Sequence, residues 1–141
     1  MNTKFKLLKT DKIEFNGHVL YRIQALKTFG DVRCEDIGGY VEKEENLSSD
    51  GNAWVFGTAK VFGDAKVYGN AQVSGDAWVY NNAKVYGNAQ VYGDAWVYGT
   101  AKVFGDAKVY GNAQVSGDKS LVKSDKPIKV YGIVNFMKGG K

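Results

Sequence analysis

Side chains suited to covalent or proton-transfer chemistry are scarce in this sequence. There is one histidine, His18, one cysteine, Cys34, and, within the repeat, a set of aspartates, Asp64, Asp76, Asp94, Asp106 and Asp118, separated by multiples of six residues. A lone His and a lone Cys exclude an internal disulfide and a Cys/His zinc set, so neither a metal nor a cofactor is expected. His18 follows Asn16-Gly17 and reads as an exposed bystander of that turn. Cys34 has no histidine near it in sequence and reads as a small buried or idle residue rather than a nucleophile. The aspartates share their positions with Asn and Thr, as turn residues whose short side chains bond the backbone. Asp76 and Asp94 would stack at one corner, but two carboxylates without a third oxygen ligand hold a cation poorly. Binding chemistry has more material. Trp78, Tyr80, Trp96 and Tyr98 would make a two-by-two aromatic block suited to a protein interface. Lys66/Tyr68, Lys84/Tyr86 and Lys102/Phe104 would make a comb of the kind that holds single-stranded nucleic acid by ring stacking and phosphate contacts.

What must position these residues is a six-letter word, G-[N/D/T]-A-x-V-[aromatic or Ser], that runs from Ala53 to Asp118. Hexapeptide periods mark parallel β-helices. Within each word Ala and Val alternate with the other two residues, as in a short strand. Glycine every sixth residue forbids a long helix and supplies a turn position with positive φ; Asn81, its one replacement, is the residue that tolerates that conformation best. An antiparallel meander would leave every Ala and Val on one bare face. Winding three words into a triangular coil encloses them instead, so the predicted fold is all-β, a parallel β-helix with Ala and Val inside.

Three faces then follow. The first presents Trp54/Phe56, Gln72/Ser74, Gln90/Tyr92 and Lys108/Tyr110 outward, the second Lys60/Phe62, Trp78/Tyr80, Trp96/Tyr98 and Gln114/Ser116, and the third the Lys-aromatic comb. The aromatics are predicted to form surface columns, because the narrow core admits only Ala and Val. Residues 53–76 return at 95–118 with one change, Phe56 to Tyr98, seven words later. Seven is not a multiple of three, so the copied side chains move to another face; the word is a building unit rather than a tuned site.

The 141-residue, 15.5 kDa chain is long enough for one domain. Its parts are expected to be an N-terminal hairpin cap (1–36) around Asn16-Gly17, the solenoid (37–122), and a basic C-terminal cap (123–141) interrupted by Pro127. Leu121 is expected to hold the valine position of the last word. The net charge of +4 arises after residue 118, from Lys119, Lys123, Lys126, Lys129, Lys138 and Lys141 against Asp125 alone. A lysine-rich terminus reads as a solvated cap. No run approaches the length of a membrane span, and the first fifteen residues lack a signal peptide's apolar core; a cytoplasmic protein with no membrane partner is expected.

The leader from Leu20 to Val55, "LYRIQALKTFGDVRCEDIGGYVEKEENLSSDGNAWV", together with the repeat, resembles the hexapeptide-repeat proteins called YdcK-like or transferase-like, frequent in bacteria and their prophages. The resemblance implies a left-handed β-helix and a phage or prophage setting. Its transferase label rests on fold analogy, and left-handed β-helix acyltransferases use coil-boundary histidines, which this solenoid lacks. The expected function is therefore non-enzymatic: stoichiometric binding of a host protein, in its most specific form inhibition of a bacterial defence system such as CRISPR-Cas. A homo-oligomer is the expected assembly, with the protein interface at Trp78, Tyr80, Trp96 and Tyr98 as its expected contact and the basic C-terminal segment as the second choice. An acyltransferase-like enzyme, a structural virion or scaffold component, and a nucleic-acid binder using the comb remain as alternatives.

Overall fold

Each word forms a short strand whose valine enters the core, and each corner bends where the sequence places glycine. The computed structural model describes residues 3–116 and, as backbone strands, Leu121–Val122, Ile128–Val130 and Ile133–Asn135. Nine corner glycines from Gly57 to Gly111 have φ between 63° and 71°, and Asn81 takes the same turn at 60°. Stacking is parallel with an eighteen-residue repeat: Trp78 pairs with Trp96 and Val79 with Val97, and the Trp78 and Tyr80 N–H groups donate to Ala95 and Val97 carbonyls at 3.0 Å. The chain is thus a parallel β-solenoid. The three sheets are the three predicted faces: Trp54, Gln72, Gln90 and Lys108 pair in one, Lys60, Trp78, Trp96 and Gln114 in the second, Lys66, Lys84 and Lys102 in the third.

The core is a column of small residues. Every alanine from Ala53 to Ala113 and every valine from Val55 to Val115 at the repeat positions is at most 1% exposed. Each buried valine contributes roughly 1.5 to 3 kcal/mol, and a core of two small residue types keeps the cross-section narrow, as dense packing requires.

The N-terminal end is covered by β1 (Phe5–Phe15) and β2 (His18–Ala25), an antiparallel hairpin turning at Asn16-Gly17, both with positive φ. β2 pairs antiparallel with β3 (Ile37–Val41), which in turn runs parallel to Lys60–Val61. The second face therefore continues into the hairpin as one sheet. β3 can lie this close because Gly38 and Gly39 have no side chains; a Cβ there would stand 2.6 Å from the Val55 or Ala59 carbonyl oxygen. Between β3 and the first regular word, the buried Asn46 ties the chain down. Its Oδ1 accepts the N–H groups of Glu42 and Lys43, and its Nδ2 donates to the carbonyls of Gly63 and Ala65. Leu47 then bridges to Val67, closing the third face.

Two expectations need correction. Trp54 points out of the coil but is only 1% exposed, because Phe5 and Phe29 pack edge-on against it at 6.3 and 5.3 Å. Phe62 is likewise buried, beneath Phe15 and His18. The first rungs of the ring columns are thus cap-solenoid contacts rather than surface. At the other end, Val122 rather than Leu121 lies opposite Val103, so seven residues instead of six separate it from Val115. Ile128–Val130 and Ile133–Asn135 extend the first and second faces by one strand each. The remaining C-terminal residues, with the side chains of Lys119, Lys123, Lys126, Lys129, Lys138 and Lys141, lie outside the described residues.

Candidate interaction faces

In-register parallel strands put identical word positions one above another, about 4.8 Å apart, and this spacing makes ring ladders. On the second face Trp78 and Trp96 stack at 4.6 Å between ring centroids, and Phe62, Tyr80 and Tyr98 stack at 5.0 and 5.2 Å. All four residues of the predicted block are brought together, each half-buried. Phe15 at the hairpin tip meets Trp78 edge-on at 4.7 Å, with the Lys60 ammonium 5.1 Å from the Phe15 ring centroid. At the other end the rings stop at Trp96 and Tyr98, and Gln114 and Ser116 follow in register. Burial raises the Tyr80 phenol pKa, helped by Tyr98 beside it.

Sequence reasoning missed Phe15 as part of this face. Its only signal was an aromatic residue immediately before the Asn-Gly turn. It also misjudged His18, which is not a bystander: its Nδ1 lies 3.0 Å from Glu42 Oε2, and its ring lies 5.0 Å from that of Phe62. Glu42 Oε1 accepts the Gly63 N–H at 2.8 Å. Burial pushes the Glu42 pKa upward, but the hydrogen bonds from His18 and Gly63 outweigh it and hold the carboxyl below its usual range. These contacts clasp the hairpin tip to the first coil.

On the third face Tyr68, Tyr86 and Phe104 stack at 4.7 and 5.0 Å with planes within 4° of parallel. Lys66, Lys84 and Lys102 form the adjacent column. With Asp64, Asn82 and Thr100 they line an open groove of about 510 Å³. Burial, with Tyr86 next to it, raises the Tyr68 pKa.

Three corner carboxylates accept hydrogen bonds from side chains of neighbouring coils or the leader rather than from the backbone that a turn reading predicts. Asp64 accepts from Lys43 at 2.9 Å, which lowers its pKa, and Asp76 accepts from the Thr58 hydroxyl. Asp76 and Asp94 do share a groove, with Trp78, Trp96, Asn112 and Gln114. Among the described residues no three His, Cys, Asp or Glu side chains converge on a point that could hold a metal ion. Cys34 is exposed. No helix among the described residues is long and apolar enough to cross a membrane.

Three overlapping segments, residues 65–81, 71–87 and 83–99, match the YdcK beta solenoid repeat. The chain is a β-solenoid similar, over residues 65–99, to the YdcK beta solenoid repeat. None of the curated proteins matches it. The matched segments contain Trp78, Tyr80, Trp96 and Tyr98 and two rungs of the lysine column, Lys66 and Lys84.

Proposed function

We propose that this β-solenoid is a non-catalytic binding protein, phage- or prophage-encoded, that acts by stoichiometric contact with a host protein. One observation carries the reading: a stacked ring ladder meets the protein's own Phe15 at one end and runs out of ring partners at Trp96 and Tyr98 at the other. Stacked rings held by the coils offer contact area that loses little conformational entropy on binding. His18 and Glu42, the described groups nearest to an acid-base pair, hold the hairpin to the coil, which supports binding over catalysis. The most specific form, inhibition of a bacterial defence system such as CRISPR-Cas, rests on the prophage setting of proteins that the sequence resembles.

Pull-down from a bacterial host with the wild type and with Trp96→Gln/Tyr98→Ser, followed by mass spectrometry, tests the contact. Phage plating on hosts with active defence systems tests its consequence. A host protein captured by the wild type and lost from the variant is expected, with plating raised in at least one host. Capture of virion components alone would replace this reading with a structural one, and acetyl-CoA bound stoichiometrically would replace it with an enzymatic one.

A further inference from the structure

Among the described residues, the third face carries lysine on three successive rungs, between Asn46–Leu47 at one end and Leu121 at the other. Lys66, Lys84 and Lys102 are direct register partners, so their Cα atoms rise in steps of about 4.8 Å. The same position carries Trp54, Gln72, Gln90 and Lys108 on the first face and Lys60, Trp78, Trp96 and Gln114 on the second. Like charges directly opposite on neighbouring strands destabilise a sheet, and this column has little to offset it. Asp64, at the adjoining corner, is engaged by Lys43, and the equivalent corner residues Asn82 and Thr100 are neutral. At the opposite corner Asn70 and Asn88 are neutral, and Asp106 accepts from Asn88 Nδ2 at 3.4 Å. Among the described residues, the side chain of neither Lys84 nor Lys102 makes a hydrogen bond or ion pair. Lys66 and Lys102 are exposed and Lys84 half-buried.

The neighbouring rings decide which polyanion suits such a column. Tyr68, Tyr86 and Phe104 cover one another's faces, so they turn edges outward and leave no gap into which a base could stack. The comb read from the sequence as a stacking platform is, in this geometry, a charge column beside a closed ring ladder. A site that reads charge alone gains nothing from unpaired bases. It gains from charge density, and duplex DNA presents one phosphate charge per about 1.7 Å of axis.

We propose that the third face is a backbone-reading site for duplex nucleic acid, in which Lys66, Lys84 and Lys102 each contact phosphate and no base is recognised. The inference is independent of the contact at Trp96 and Tyr98, which lies on another face.

The test is fluorescence anisotropy of a short labelled duplex, and of one of its strands, against the whole protein over a salt series. Lys66→Gln/Lys84→Gln/Lys102→Gln removes the column. Glutamine is native at the same word position in Gln72, Gln90 and Gln114, so the coil should be kept, as circular dichroism can verify. Lys6→Gln/Lys12→Gln/Lys108→Gln removes the same charge elsewhere. The wild type should bind duplex more tightly than single strand. The column variant should lose roughly tenfold or more in affinity, and its log-log salt slope should fall by about 2 to 3, close to 0.9 per phosphate contact; the control should change little. Equal losses in both variants would reduce the effect to net charge and overturn the site. So would tighter binding of the single strand, or no duplex binding at low salt.

Discussion

Trp78 and Trp96 stack face to face, with ring centroids 4.6 Å apart and planes within 5° of parallel. A centroid separation this long between parallel rings corresponds to the offset stacking that aromatic pairs prefer; here the strand spacing imposes it, and each ring covers part of the other's face. A ladder built this way consumes its interior surfaces, so what it can offer a partner is its edges and its ends. On the second face one end is already taken by Phe15.

Replacing Val85 by aspartate should abolish the cooperative unfolding transition, because the site is 0% exposed and holds only apolar neighbours for a charge. Tyr86→Ser, one residue away but outside the coil, should fold and lose no more than about 2 kcal/mol, the sum expected from two cross-strand ring contacts. Urea unfolding followed by circular dichroism separates the two.

Corner geometry makes a second contrast. Gly75 has φ of 65°, and an added Cβ would stand 3.0 Å from the Gly93 backbone N and O. Gly75→Ala should lose roughly 1 to 2 kcal/mol or more, the ordinary left-handed penalty plus that crowding. Asn81→Gly should be nearly neutral, and Asn81→Val should lose more than Gly75→Ala because a branched side chain resists positive φ. Thermal melts of the three variants provide the ranking.

The coil was legible in the sequence because a six-residue period specifies which side chains face inward wherever a coil lies above and below. That condition fails at the first coil. Trp54 occupies the same word position as Trp78 and Trp96, but Phe5 and Phe29 cover it, and nothing local distinguishes the three tryptophans. Lys4 is the extreme case. Nothing in "NTKFK" marks that lysine for burial, yet it is 0% exposed, and its ammonium donates to the carbonyls of Ala53 at 2.7 Å and Ser48 at 3.0 Å beside the Phe29 ring. Its place depends on a carbonyl left without a strand partner at the end of the first face, which is a property of the finished solenoid. The candidate faces were legible as columns for the same reason as the core. Their closure by Phe15 and by ring-on-ring stacking was not, since both arise from tertiary contact.

Lys4 also predicts a pH dependence. Burial, with Lys27 nearby and only partly opposed by Asp50, lowers its pKa from 10.5 to about 8. The unfolded chain therefore holds this proton more tightly than the folded one, and stability should rise as pH climbs from about 8 toward 10.5. Between pH 8 and 9.5 the gain from this group is roughly 1.5 kcal/mol. Tyr68 and Tyr80, whose pKa values are raised in the fold, act the other way above pH 10, so the measurement belongs below that. Lys4→Met should flatten the rise in urea midpoints over this window even if it lowers stability throughout.

In purified protein, without a host partner, the ring-free end of the second-face ladder should instead self-associate; self-contact and host contact compete for the same surface. A symmetric contact through Trp96 and Tyr98 would cover ring surface that the capped end already has covered by Phe15, and a two-fold arrangement needs only one such patch per chain. Light scattering of the wild type should give a mass above the 15.5 kDa of one chain. Trp96→Gln with Tyr98→Ser recreates side chains already present in the word at Gln72 and Ser74, so it should leave the coil folded while returning the mass to that of a monomer. Phe15→Ala should leave the assembly intact, because it opens the opposite end, and should shift the Trp78 fluorescence to the red as water reaches that ring. A wild type that stays monomeric up to the highest soluble concentration removes the self-contact and leaves the open end to a different partner. Dissociation by Phe15→Ala instead of by the Trp96/Tyr98 pair would move the contact to the hairpin.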